Sequence, residues 1–299
     1  MIGVNYIIEN DILKVEISSR GGELQSIVRD GAEYLWQADP VYWDEKAPNL
    51  FPYIGRMTQG KYTVKGKEYK MPIHGFLPST ELQCEEQSRD RIVFRVDANE
   101  VTKSCYPFSF TYRVIYELDK EVLHVIYQVM NHGEETMYFG IGGHPGIAVP
   151  VGGSENGKEL KFEDYYLEFS GQTEVPVRVD FSPTCFLTGD DKPFELEEGK
   201  YLHLHHDMFD QDAIVFRNTS GTVVLKSDRG EHYVRVCYPD MAYIGFWHAV
   251  KTDAPYICIE PWHGCAAVVG ESGNLEDKPY VITLQPGEQK TLAYTVFVH

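Results

Sequence analysis

Apolar residues along this chain recur at every second position in short runs, not at helical spacing. From Phe108 to Leu118, the residues Phe108, Phe110, Tyr112, Val114, Tyr116 and Leu118 alternate with Ser109, Thr111, Arg113 and Glu117. This is the pattern of a strand buried on one face. Ile92–Val96, Val122–Val129, Tyr165–Phe169, Ala213–Phe216, Val223–Lys226, Tyr233–Tyr238, Tyr256–Ile259 and Leu292–Val298 have the same character. Turn chemistry separates them at Asp30-Gly31, Lys65-Gly66, Asn131-His132-Gly133, Gly152-Gly153 and Asn218 to Gly221. The best helical candidate is a turn or two over Asp39 to Lys46, where Asp39-Pro40 suits a helix start. Many short strands with few crossovers predict an all-β antiparallel sandwich or barrel. No proline-rich linker or repeat divides residues 1–299, so a single domain is expected, with the acidic stretch Gly189 to Gly199 as an exposed loop inside it.

Composition narrows the partners. The 299 residues are 43% hydrophobic and 13% aromatic, enough for a sizeable core. With 27 Lys and Arg against 45 Asp and Glu, the formal net charge is -18, so nucleic acid and anionic membrane surfaces are repelled. No apolar run approaches the roughly 18 residues of a membrane span, and the first residues alternate like a strand instead of forming a basic cap and apolar stretch. Six dispersed cysteines without a C-x-x-C fit reduced thiols in a cytoplasmic protein better than a disulfide scaffold or zinc knuckle.

Three places depart from what a plain sandwich requires. In Pro72 to Pro78 two prolines and Gly75 hold His74 on a rigid loop, where it serves either a ligand or a turn carbonyl. In Gly142 to Gly146, glycines and Pro145 surround His144 and expose its ring at a strand end; the plainer reading is a glycine-rich bend with a surface histidine. In Tyr256 to Gly264, Glu260 ends an apolar strand. A carboxylate there is costly unless paired or placed at a cleft, and partial burial raises its pKa toward the range of a general base. Pro261 predicts the strand end, and Trp262 offers a flat face for stacking on a sugar. Arg56 carries a fork of donors for hydroxyls or a carboxylate. Asp210 or Asp212, just before an apolar strand, reaches a cleft or closes an Asx turn. His203 and His205 share a strand face, but no further ligand follows at metal-site spacing, so no metal is assigned.

In order, Gly21 to Ile27, Glu33 to Asp39, Pro48 to Pro52 with Gly55-Arg56, His74-Gly75-Phe76, Gly143-His144-Pro145, Asp210 to Phe216 and Ile259 to Gly264 resemble the aldose 1-epimerase (galactose mutarotase) superfamily, most closely its LacX-like branch. The resemblance covers nearly the whole chain. It implies a large antiparallel β-sandwich with an open sugar cleft, and an isomerase that interconverts the α and β anomers of a hexose. By the same resemblance Glu260 falls where the general base takes the anomeric hydroxyl proton, and His144 where the general acid protonates the ring oxygen. His74 and Arg56 match positions near the ring oxygen and sugar hydroxyls, and either Asp212 or Asp210 binds hydroxyls. Such chemistry needs two proton transfers around one acetal carbon, which an ionised carboxylate and imidazolium supply without metal or cofactor. The chain departs from galactose mutarotases after His144, where Pro145-Gly146 replaces a tyrosine-rich continuation, so the sugar's identity does not carry over.

Three alternatives accompany this reading. A hexose-6-phosphate 1-epimerase would need more than one basic residue around the cleft, and only Arg56 is placed there. A non-catalytic carbohydrate-binding or sensor protein would keep the cleft without turnover. A glycosidase would pair Glu260 with Asp210 or Asp212 and leave the histidines idle. The expected partner is a monosaccharide, phosphorylated or not, bound to a monomer or homodimer.

Overall fold

Two antiparallel sheets face each other across one aromatic-rich core in the computed structural model, which describes residues 3–153, 160–182 and 184–299. Among the described residues one sheet has nine strands, in the order Tyr201–His203, Tyr166–Phe169, Thr222–Lys226, Val234–Cys237, Gln289–Val298, Val122–Asn131, Phe110–Asp119, Arg91–Asp97 and Gln83–Gln87. Two of its ten-residue strands pair without slippage from Phe110 opposite Asn131 to Asp119 opposite Val122. The second sheet runs Lys192–Pro193, Val177–Val179, Ile214–Arg217, Tyr243–Trp247, Tyr256–His263, Ile141–Gly143 and Asn49–Leu50, with Gly146–Ala148 also paired to Tyr256–His263.

Alternation explains the packing. Tyr112, Val114 and Tyr116 from the first sheet and Ile244, Phe246, Ile257 and Ile259 from the second enter one cluster. Rings stitch the layers together, as where Phe51 meets Tyr112 at 5.0 Å and Phe169 meets Phe246 at 5.9 Å between centroids. The strands expected from sequence are all present, with ends shifted by a few residues at most. No helix among the described residues is long and apolar enough to cross a membrane. The six cysteines are free thiols.

Two local expectations are corrected. Asp39 to Lys46 forms a turn, not a helix: the Asp39 carbonyl accepts from the N–H groups of Tyr42 and Trp43, and its carboxylate accepts from Val41 N–H at 3.0 Å. The α-helix lies at Glu100–Cys105, where Asn99 caps the first turn and the Thr102 hydroxyl accepts from Asn99 N–H. Pro261 does not end its strand, which continues to His263. Along this strand the N–H of Ile259 points at the Pro145 carbonyl, so the missing donor of Pro261 falls where the neighbouring strand is interrupted between Gly143 and Gly146. A proline costs no ladder bond at such a gap.

Candidate active site

The strand Tyr256–His263 sorts its side chains by parity. Ile257 and Ile259 enter the core, while Tyr256, Cys258, Glu260 and Trp262 rise from the other face. Gly245 stands opposite Glu260 on the adjacent strand. A Cβ there would lie 2.8 Å from the Trp262 ring, so glycine lets the indole extend across the sheet as a floor. Above it opens a cleft of about 180 Å³, walled by Trp43, Trp247, Glu45 and Arg56 and containing His74, His144, Asp212 and Glu260.

His144 enters from the loop after Ile141–Gly143, where its backbone N–H donates to the Pro48 carbonyl at 3.0 Å. Its Nε2 lies 3.3 Å from Glu260 Oε2. The ring is not exposed at a strand end, as expected from the flanking glycines: His144 is only 8% exposed. Trp43 and Trp247 pack against it at 5.1 and 5.7 Å, and this cover needs the small residues around it.

Burial governs the electrostatics. Glu260, 1% exposed, is pushed well above the usual carboxylate range by burial and then by the charge of Asp212. The Trp262 indole N–H opposes this from beside the carboxylate without closing a hydrogen bond. Burial also drives His144 well below the usual imidazole range, with His74 adding to the effect. Both shifts run toward the neutral forms, against the ionised pair expected from sequence. Among the described residues, Glu260 Oε1, His144 Nδ1 and Trp262 Nε1 are all buried without a hydrogen-bond partner. Each such atom costs about 1–3 kcal/mol, and a ligand offering donors and acceptors recovers that cost.

His74 sits in left-handed backbone, φ 63°, on a loop held against the sheet. A Cβ on the following Gly75 would collide with the Phe51 carbonyl. Gly55 N–H donates to His74 Nδ1 at 3.3 Å. Burial, with Arg56 adding and Asp212 opposing, lowers the His74 pKa to about 4. The ring is therefore neutral at pH 7 and carries its proton on Nε2, as a hydrogen-bond donor.

Of the two candidate aspartates, Asp212 lines the cleft and Asp210 does not. Asp212 adopts φ 90° and its carboxylate accepts from Ala213 N–H at 2.9 Å. Asp210 follows the short 3₁₀ turn His206–Phe209, where its charge acts on His248. Arg56 is exposed at the rim. His203 lies at the surface, 3.4 Å from Glu197.

Sequence reasoning missed Trp43, Trp247, Glu45 and Cys185, which also line the cleft. A signal for the first two existed. The chain has four tryptophans, and Trp36, Trp43, Trp247 and Trp262 all pack on this one sheet face or its covering loops. Trp43 was hidden inside the segment read as a helix.

The sequence profile of the family described as aldose 1-epimerase matches residues 5–295. The chain is 33% identical to Protein LacX of Lactococcus lactis subsp. lactis, over 97% of this chain and 98% of that protein. It is 32% identical to a galactose mutarotase related enzyme from Lactobacillus acidophilus, whose structure superposes with a TM-score of 0.93 over 99% of this chain and 97% of that one. A galactose mutarotase-like protein from Lactobacillus casei is 31% identical, with a TM-score of 0.91 over 99% and 100% of the two chains.

Proposed function

The chain belongs to the aldose 1-epimerase family, and from that premise we propose that it interconverts the α and β anomers of an unphosphorylated aldohexose in the cleft over Glu260. One observation carries the reading: a carboxyl and an imidazole 3.3 Å apart, each with its second polar atom buried and unpartnered, line one cleft.

The anomeric oxygen and the ring oxygen of a pyranose are bonded to the same carbon, so two adjacent groups reach both. In the reacting form His144 is protonated and Glu260 is not, and Glu260 takes the proton from the anomeric hydroxyl as His144 delivers its own to the ring oxygen. The bond from C1 to the ring oxygen breaks and C1 becomes an aldehyde. Rotation about C1–C2 presents its other face, and the transfers run backward to close the ring. The pair gains one proton and loses one, so no external acid or base is consumed. His74 Nε2–H donates to a sugar oxygen, Asp212 and Arg56 bind hydroxyls, and Trp43, Trp247 and the Trp262 floor give the ring apolar surfaces.

Charge argues for a neutral sugar. Among the described lining residues Arg56 is the only Lys or Arg, set against the acidic Glu45 and Asp212. A phosphate dianion would meet repulsion here instead of a cationic clamp. The test is anomer exchange on freshly dissolved α-glucose, α-galactose and glucose 6-phosphate, followed by polarimetry and exchange NMR. Acceleration of the neutral sugars, lost in Glu260→Gln, is the expected result. Saturable binding without acceleration would instead identify a sugar-binding protein.

A further inference from the structure

Cys258 has no part in the chemistry above, yet it is buried on the same strand face as Glu260, two residues away. One ligand atom from each of His144, Cys258 and Glu260 lies within 4.8 Å of the other two. We infer that these three side chains form a reversible inhibitory site for Zn²⁺ or a similar divalent transition metal, which occupies the proposed catalytic pair and excludes the sugar. The exclusion rests on the functional reading above; the metal site itself rests on geometry alone.

A tetrahedral zinc with bonds of about 2.0–2.3 Å places its ligand atoms roughly 3.3–3.6 Å apart. His144 Nε2 and Glu260 Oε2 already stand at 3.3 Å. Closing the remaining gap asks Cys258 Sγ to move by roughly 1 Å, within reach of a small χ1 rotation. The ligand set is one thiolate sulfur, one imidazole nitrogen and one carboxylate oxygen, which suits zinc and cobalt rather than magnesium or calcium. Charge also balances: a thiolate and a carboxylate cancel the two positive charges, leaving a neutral complex in a buried place. Among the described residues, His144 Nε2 and Glu260 Oε2 contact only each other in the free site, so a metal entering between them displaces that single contact. Water completes the fourth position.

The same geometry limits affinity. A resident metal site fixes its histidine by a hydrogen bond to the second ring nitrogen, and loss of such a partner costs about 10- to 100-fold in binding. His144 Nδ1 has none. The site is thus one that zinc enters and leaves, holding the lone pairs that proton transfer requires.

The test titrates the metal-free protein with Co²⁺, reads thiolate-to-cobalt charge-transfer absorption, and then displaces the cobalt with Zn²⁺. One equivalent with a charge-transfer band is expected. Cys258→Ser should remove the band and weaken Zn²⁺ binding at least about tenfold, as should Glu260→Gln. Cys185→Ser, which alters a thiol that lines the cleft, should leave the band intact. Should Cys258→Ser misfold, Cys258→Ala takes its place, with folding checked by thermal melting. No band at saturating Co²⁺, or a band that survives loss of Cys258 or vanishes with Cys185, overturns the site. Because this readout uses no turnover, it stands even if anomerisation fails. A sugar shown by NMR to bind that leaves the apparent Co²⁺ affinity unchanged overturns the exclusion.

Discussion

Two pairs of histidines meet edge to face in this molecule, and only one of them is finished. His206 and His248 approach with ring centroids 5.2 Å apart. Their nitrogens form a closed chain: His206 Nδ1 lies 3.2 Å from His248 Nε2, and His248 Nδ1 donates to the Ala249 carbonyl at 2.8 Å. Phe162 stacks on His206 at 4.3 Å and fills the remaining face. His74 and His144 also meet, at 5.4 Å, but His144 Nδ1 and its neighbour Glu260 Oε1 are buried without partners. Both pairs contain a histidine whose pKa burial depresses, so a shifted titration alone does not distinguish scaffold from site. Between these two pairs the difference lies in hydrogen bonding, closed in one and open in the other, although Tyr112, His263 and Glu271 also carry buried unpartnered atoms away from the cleft.

The comparison breaks most decisively at the carboxyl. Glu260→Gln keeps the shape and removes the exchangeable proton, so anomer exchange should fall by about 100- to 10,000-fold, measured by saturation-transfer NMR. His144→Gln should match it within about tenfold, since each group is idle without the other. An exchange rate within twofold of the parent in either variant would move the chemistry elsewhere.

Stability against pH gives the next largest effect, with opposite signs at neighbouring groups. His74 has an ordinary pKa of 6.5 when unfolded and about 4 when folded. The unfolded chain therefore binds the extra proton first, and stability present above pH 6.5 is lost as pH falls toward 4, by about 3 kcal/mol at most. His74→Gln should flatten that limb in denaturant melts. Glu260 acts the other way: its folded pKa is raised, so its contribution is present below pH 4.5 and lost as pH rises through the folded value. Glu260→Gln should therefore gain stability relative to the parent as pH increases, while losing activity.

Legibility in the sequence followed the range of the interactions. Period-two alternation along Phe110–Asp119 and Val122–Asn131 is a local property, and it revealed strands, faces and fold class. Glu260 stood out because a carboxylate interrupts an apolar run. The burial that shifts both groups toward neutrality was not legible, since Trp43 and Trp247 close over His144 from segments some 100 residues away on either side. Pro261 misled for the same reason: whether a proline ends a strand depends on what its neighbouring strand does opposite it. Asp210 and Asp212 differ by two positions in sequence, and only the turn at φ 90° decides which reaches the cleft.

The finished pair should respond to mutation as structure, not as chemistry. His248→Leu leaves the Ala249 carbonyl and His206 Nδ1 without their imidazole, a loss of about 1–3 kcal/mol read in denaturant melts, with anomer exchange within about twofold of the parent. A smaller effect is expected at the wall between the two pairs. Trp43→Phe keeps an aromatic face toward the cleft but loses ring area against His144, Trp247 and Tyr256. Aromatic pairs are worth about 0.5–1.5 kcal/mol beyond their buried area, so KM should rise severalfold at most. If Trp43 only shields a sugar face, kcat stays near the parent value. If instead its cover is what shifts the Glu260 and His144 pair toward neutrality, water reaches the pair, and the pH profile of kcat shifts along with KM. A shifted profile with unchanged KM would assign Trp43 to the proton chemistry and remove it from sugar binding.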